Sequence, residues 1–166
     1  MPGKSDRQPP SYLAARVAKV RSALGKVLDG GGLLVTNFAD VSWLTGFEGD
    51  DSYALITTDR VILISDFRYQ EQIANEAAWV TAVMRPKLIA TEVARQAGRL
   101  KLKRLAVQAE SLTLAQKGVL DQELKSAIKG KRPRLVALKN VINAEREGKV
   151  VEPHEDALES APIPIP

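Results

Sequence analysis

Residues 40–72, Asp-Val-Ser-Trp-Leu-Thr-Gly-Phe-Glu-Gly-Asp-Asp-Ser-Tyr-Ala-Leu-Ile-Thr-Thr-Asp-Arg-Val-Ile-Leu-Ile-Ser-Asp-Phe-Arg-Tyr-Gln-Glu-Gln, decide how the rest of the chain is read. Two short apolar runs, Tyr53–Thr57 and Val61–Ser65, are joined by Thr58-Asp59-Arg60, a spacing that predicts an antiparallel β-hairpin. Crowded segments stand at its two ends, Trp43–Gly49 and Asp66–Tyr69. Taken singly, each residue there has a plain use. Gly46 and Gly49 supply positive-φ turns, Trp43 and Phe47 plug the core, Asp66 caps a helix, and Arg68 makes a surface ion pair. Taken together, aromatics, glycines and ions at both ends of one hairpin mark a candidate site.

Upstream of the hairpin, Leu13, Val17, Val20, Leu24 and Val27/Leu28 recur at the period of an amphipathic helix. Ser11 is its expected N-cap and Gly30-Gly31-Gly32 its stop, with Arg16, Lys19, Arg21 and Lys26 mainly on the wet side. Residues 32–37 read as a buried strand and Ala39–Leu44 as a short helix ended by Gly46. Downstream, Asp66 or Ser65 opens a helix running to Ala77, with Tyr69, Ile73 and Ala77 on one face. Strand and helix then alternate: Trp79–Met84, Leu88–Leu100, Arg104–Gln108, Leu112–Ile128 and Leu135–Leu138. The longer last helix carries Leu114, Val119/Leu120, Leu124 and Ile128 as its apolar positions. This order predicts an α/β fold, a mixed β-sheet containing one β-hairpin with helices on both faces. Residues 1–10 form an expected flexible lead-in, residues 11–140 the domain, and residues 141–166 a linker and acidic, Pro-rich disordered tail.

Composition narrows the chemistry. At 166 residues, 45% hydrophobic and 27% charged, the chain has the make-up of one globular domain. With no cysteine, it has no disulfide, thiolate metal site or Cys nucleophile. Its one histidine, His154, sits in the Pro/Glu tail, so neither a Ser-His-Asp triad nor an imidazole metal site can be assembled. Gly30-Gly31-Gly32 precedes a strand, the wrong order for a phosphate loop. Asp50 and Asp51, with Glu48 and Asp66, are the densest carboxylates, yet adjacent loop acids more often face solvent than converge on a cation. No catalytic residue and no metal ligand are therefore assigned. Apolar runs are too short for a membrane span and the N-terminus has no apolar secretory core, so a cytoplasmic location is expected.

The net charge of +4 conceals an asymmetry: residues 38–78 hold eight acids against two bases, and residues 95–149 fourteen bases against five acids. The basic run Lys-Gly-Lys-Arg-Pro-Arg at 129–134, with Lys101, Lys103 and Arg104, leaves a nucleic-acid-binding basic α/β domain as an alternative. Residues 80–166 contain no Phe, Trp or Tyr for base stacking, so nucleic acid is not the expected partner.

Trp43-Leu-Thr-Gly-Phe-Glu-Gly49 ahead of a hairpin, followed by Asp66-Phe-Arg-Tyr69 opening a helix, resembles the N-terminal domain shared by creatinase, prolidase and the Xaa-Pro aminopeptidases. The resemblance covers residues 11–140; Trp43 departs mildly, a tyrosine being common there. It implies a creatinase N-terminal-like fold with a ribonuclease H-like motif. It also implies that catalysis, with a dinuclear Mn, Zn or Co site, belongs to a separate C-terminal pita-bread domain, expected to be absent from this chain. The implied function is that of a stand-alone or truncated domain acting in subunit association and in shaping substrate access through Trp43, Phe47, Asp66, Arg68 and Tyr69, without catalytic activity of its own. The implied partners are further copies of the chain, as a homo-oligomer, or a separate catalytic domain. A second expectation is a fragment of a split or truncated Xaa-Pro metalloaminopeptidase or dipeptidase.

Overall fold

The structure is a computed structural model that describes residues 5–146. The tail expected beyond them, with His154, lies outside the described residues, as do the first four residues of the lead-in. Six strands form one mixed sheet in the order β4-β3-β2-β1-β5-β6. They are β1 (Gly31–Val35), β2 (Tyr53–Ile56), β3 (Val61–Ser65), β4 (Thr81–Met84), β5 (Arg104–Gln108) and β6 (Arg134–Leu138). The predicted hairpin is present, with Tyr53 opposite Ile64 and Ile56 opposite Val61. Strand β2 also runs antiparallel to β1, whereas β1–β5, β5–β6 and β3–β4 pair in parallel. Only β2 therefore runs against the rest.

Alternation along the strands splits the core into two layers. Leu33, Val35, Ala54, Ile56 and Leu63 meet α1 (Ser11–Leu24), α2 (Phe38–Thr45), α3 (Gln70–Glu76) and α6 (Val141–Arg146). Leu34, Leu55, Ile62, Ile64 and Leu105 face α4 (Ile89–Arg99) and α5 (Leu114–Ala127). Helices thus cover both faces, as the sequence predicts.

Several boundaries move for local reasons. Pro10 stands at the N-cap of α1 in place of Ser11 and makes no side-chain cap bond. That helix ends at Leu24, where Gly25 takes φ +47, and a 3-10 turn carries Val27 and Leu28 into the core ahead of the triple glycine. Thr113 caps α5 through a capping box with Gln116. Leu114 and Val119 are 67% and 45% exposed instead of packed; the helix buries only the narrow stripe Leu120 and Leu124. Arg16 and Arg21 do not simply face water. Arg21 donates to the carbonyls of Thr57 and Arg60 and so ties α1 to the hairpin turn. Trp79 precedes β4, its indole N–H donating to the Thr45 carbonyl at 3.2 Å.

Candidate functional site

Strands β1 and β3 end, and β2 begins, at one edge of the sheet, which gathers the two motifs together. Asn37 opens α2 by accepting a hydrogen bond from the Asp40 N–H. Gly46 closes it at φ +78, donating its N–H to the Ser42 carbonyl at 2.8 Å. Thr45 Oγ1 donates to Val41 O and accepts from the Phe47 N–H, which turns the Phe47 side chain inward. Phe47 has no accessible surface. Its ring meets Tyr69 edge-on. Gly49 is needed for close approach and not for a positive φ: a Cβ there would lie 2.2 Å from Phe47 Cζ and 3.0 Å from Tyr69 Cδ1.

Over this aromatic base lies a network of charges. Asp66 caps the turn Phe67–Tyr69, accepting from the Arg68 N–H at 2.8 Å and from Arg68 Nε at 3.0 Å. Arg85 pairs with its other oxygen at 3.6 Å, and Arg68 also reaches Asp51 at 3.5 Å. The Tyr69 hydroxyl donates to Asp50, and the Arg68 guanidinium lies over the Tyr69 ring. Hydrogen bonds from Arg68 hold the Asp66 carboxyl below the usual carboxylate range. The bond to Asp50 pushes the Tyr69 phenol up. Beneath the loop, Ser52 donates to the Asp50 carbonyl and shares a 2.7 Å hydroxyl contact with Ser65.

The structure thus brings Phe47, Gly49, Asp66, Arg68 and Tyr69 into one constellation. Trp43 stands apart, half-buried against α1, with the Arg16 guanidinium 5.0 Å over its ring and bonded to its carbonyl at 2.9 Å. Two features at this edge have no sequence forecast. Phe67 is 64% exposed beside Arg68; its place between the cap and the arginine, where a core residue is not needed, was the available signal. Behind α2, buried Asp40 accepts from Gln108 Nε2 at 2.7 Å and Arg146 at 2.9 Å, while Gln108 Oε1 takes the N–H groups of Thr36 and Asn37. Residues so distant in sequence give no periodic signal.

A dinuclear metal centre does not fit these residues. Asp50, Asp51 and Asp66 already give oxygens to Tyr69, Arg68 and Arg85. No group of three or more His, Cys, Asp or Glu converges as a ligand set among the described residues. What the edge can do is present an exposed phenyl ring and a guanidinium held in place from behind. No helix among the described residues is long and apolar enough to cross a membrane.

Comparison with known proteins agrees with this architecture. The family model for the Creatinase/Prolidase N-terminal domain matches residues 16–147. The uncharacterized peptidase YqhT of Bacillus subtilis is 28% identical over 99 residues, 59% of this chain and 28% of that protein. Among solved structures, the N-terminal domain of the cytoplasmic peptidase PepQ from Mycobacterium tuberculosis superposes with a TM-score of 0.69 at 22% identity, covering 78% of this chain and 97% of that one. The Xaa-Pro dipeptidase from Bacillus anthracis superposes with a TM-score of 0.68 at 27% identity, covering 81% of this chain and 36% of that one. The chain therefore spans about a third or less of the full-length relatives it matches.

Proposed function

The chain belongs to the Creatinase/Prolidase N-terminal domain family, and from that premise we propose that it serves Xaa-Pro peptide cleavage without performing it. In this reading it associates with further copies of itself or with a catalytic domain, and it shapes the approach of substrate from the edge that carries Phe67 and Arg68. The proposed setting is the cytoplasm, by analogy with the PepQ relative.

One observation carries the reading. The Arg68 side chain is 64% exposed yet held through Nε by Asp66 at 3.0 Å and through Nη2 by Asp51 at 3.5 Å. An exposed arginine loses rotamer freedom on binding; one already tethered loses less, so its free N–H groups meet a carboxylate at lower cost. Phe67 supplies an apolar wall beside it. Tyr69 and Phe47 act from beneath, fixing the turn, and the Asp50–Tyr69 bond closes the loop over them.

The test has two arms. The purified chain, given an Xaa-Pro dipeptide and Mn²⁺ or Zn²⁺, is expected to show no turnover; turnover by uncontaminated chain overturns the accessory role. Light scattering measures self-association, and pull-down measures capture of a related pita-bread catalytic domain. Replacing Phe67 with Ser and Arg68 with Ala is expected to weaken whichever association is found. Association that is indifferent to both replacements removes this edge from the proposal.

A further inference from the structure

At the opposite edge, before β6, the 129–133 loop and α5 enclose a cleft of about 670 Å³, within the size range of ligand clefts. Lys125, Lys131, Arg132 and Arg134 line it. All four are exposed, and none has a side-chain partner among the described residues. Lys117, which also lines it, is bound to Asp121 at 2.8 Å. The acid that lines the cleft, Asp121, is taken by Lys117, so among the described residues these four cations form no ion pair.

Gly118 adds a second, independent observation. It sits inside α5, where glycine destabilises a helix relative to alanine. Nothing lies within 4 Å of where its Cβ would be, so no neighbour in the domain requires glycine there. Gly130, across the cleft, is equally open. A bare backbone on both walls admits something from outside at close range.

We propose that this cleft binds an acidic, linear polypeptide segment of a partner protein. Carboxylates would take the forked N–H groups of Arg132 and Arg134 and the ammonium of Lys125 and Lys131, while the segment's main chain passes over Gly118 and Gly130. A nucleic-acid duplex is a poorer occupant, because a double helix is far wider than a cleft of about 670 Å³ can admit. Single strands need aromatic platforms, and residues 80–166 have none.

Fluorescence anisotropy with a labelled octaglutamate peptide tests the assignment on the full chain at about 50 mM NaCl, where charge pairing is least screened. The peptide is expected to saturate the protein. Lys131→Glu with Arg132→Glu should weaken binding by about tenfold or more, since like charges then face each other. Gly118→Leu should weaken it about fivefold or more by filling the cleft, while its melting temperature stays at or above that of the parent. No saturable binding overturns the proposal, as does binding unchanged in these variants. A duplex or single-stranded oligonucleotide that binds more tightly than the peptide, with the same variants weakened, would transfer the cleft to nucleic acid.

Discussion

The rings of Phe47 and Tyr69 meet edge-on, with centroids 5.6 Å apart and planes at 80°, and this contact joins the two sequence motifs across the hairpin. Gly49 backs against both rings. Gly49→Ala is therefore expected to destabilise the domain by about 1–3 kcal/mol through overpacking. Trimming the ring in a Phe47→Leu background should recover part of that loss. Urea unfolding of the two single variants and the double variant measures the coupling; strictly additive losses would show that the glycine does not act through the ring.

Acid sensitivity should centre on Asp66, whose carboxyl is kept ionised by hydrogen bonds from Arg68. Its folded-state pKa lies below the unfolded value, so the stabilisation is complete above about pH 3.9 and is lost as pH falls through the lower folded-state value. Asp66→Asn should therefore be less stable than the parent at neutral pH, with the gap closing in that acid window. Thermal melts from pH 7 downward check the sign. Tyr69 works in the opposite sense: its raised pKa means stability drains away as pH climbs above about 10, and Tyr69→Phe should remove that alkaline decline.

Arg16 joins α1 to α2 by lying between the Tyr12 and Trp43 rings and bonding the Trp43 carbonyl. Arg16→Met keeps most of the aliphatic stem and removes the cation. It should cost about 1–2 kcal/mol and shift the tryptophan emission. A Lys replacement should restore little, because one ammonium cannot both stack and bond as the planar guanidinium does.

Asp40 is 2% exposed and holds both Gln108 and Arg146. Asp40→Ala leaves those donors without their acceptor and should cost about 2–4 kcal/mol. Hydrogen exchange should quicken first in α6, which Arg146 ties to α2, before the central strands open. Uniform loss of protection would contradict a local clasp.

The strands were legible because β-branched and leucine runs bounded by turn residues have few other uses. Val61–Ser65 and Arg104–Gln108 begin and end where the sequence places them. Helix ends were less so, since caps depend on backbone angles: Gly25 breaks α1 ahead of the more conspicuous triple glycine. Apolar spacing also overstated burial. Leu114 and Val119 fit a helical stripe, but α5 turns Leu120 and Leu124 inward and leaves both of them exposed. At the site, composition located the crowded segments without revealing which side chains are posts and which are surface. Phe47 is wholly inside and Phe67 largely outside, although both are phenylalanines flanking the same hairpin.

Strand β1 takes β2 on one side, after only α2 intervenes, and β5 on the other from residues 104–108. During synthesis the hairpin side can close early. The other side of Gly31–Val35, buried throughout in the finished domain, must wait for about seventy further residues at a ribosomal pace of roughly 5–20 per second. For those seconds the nascent chain carries an apolar, unpaired strand edge open to any other chain nearby. The interval before β5 arrives is therefore a window in which an unpaired apolar edge can recruit another chain.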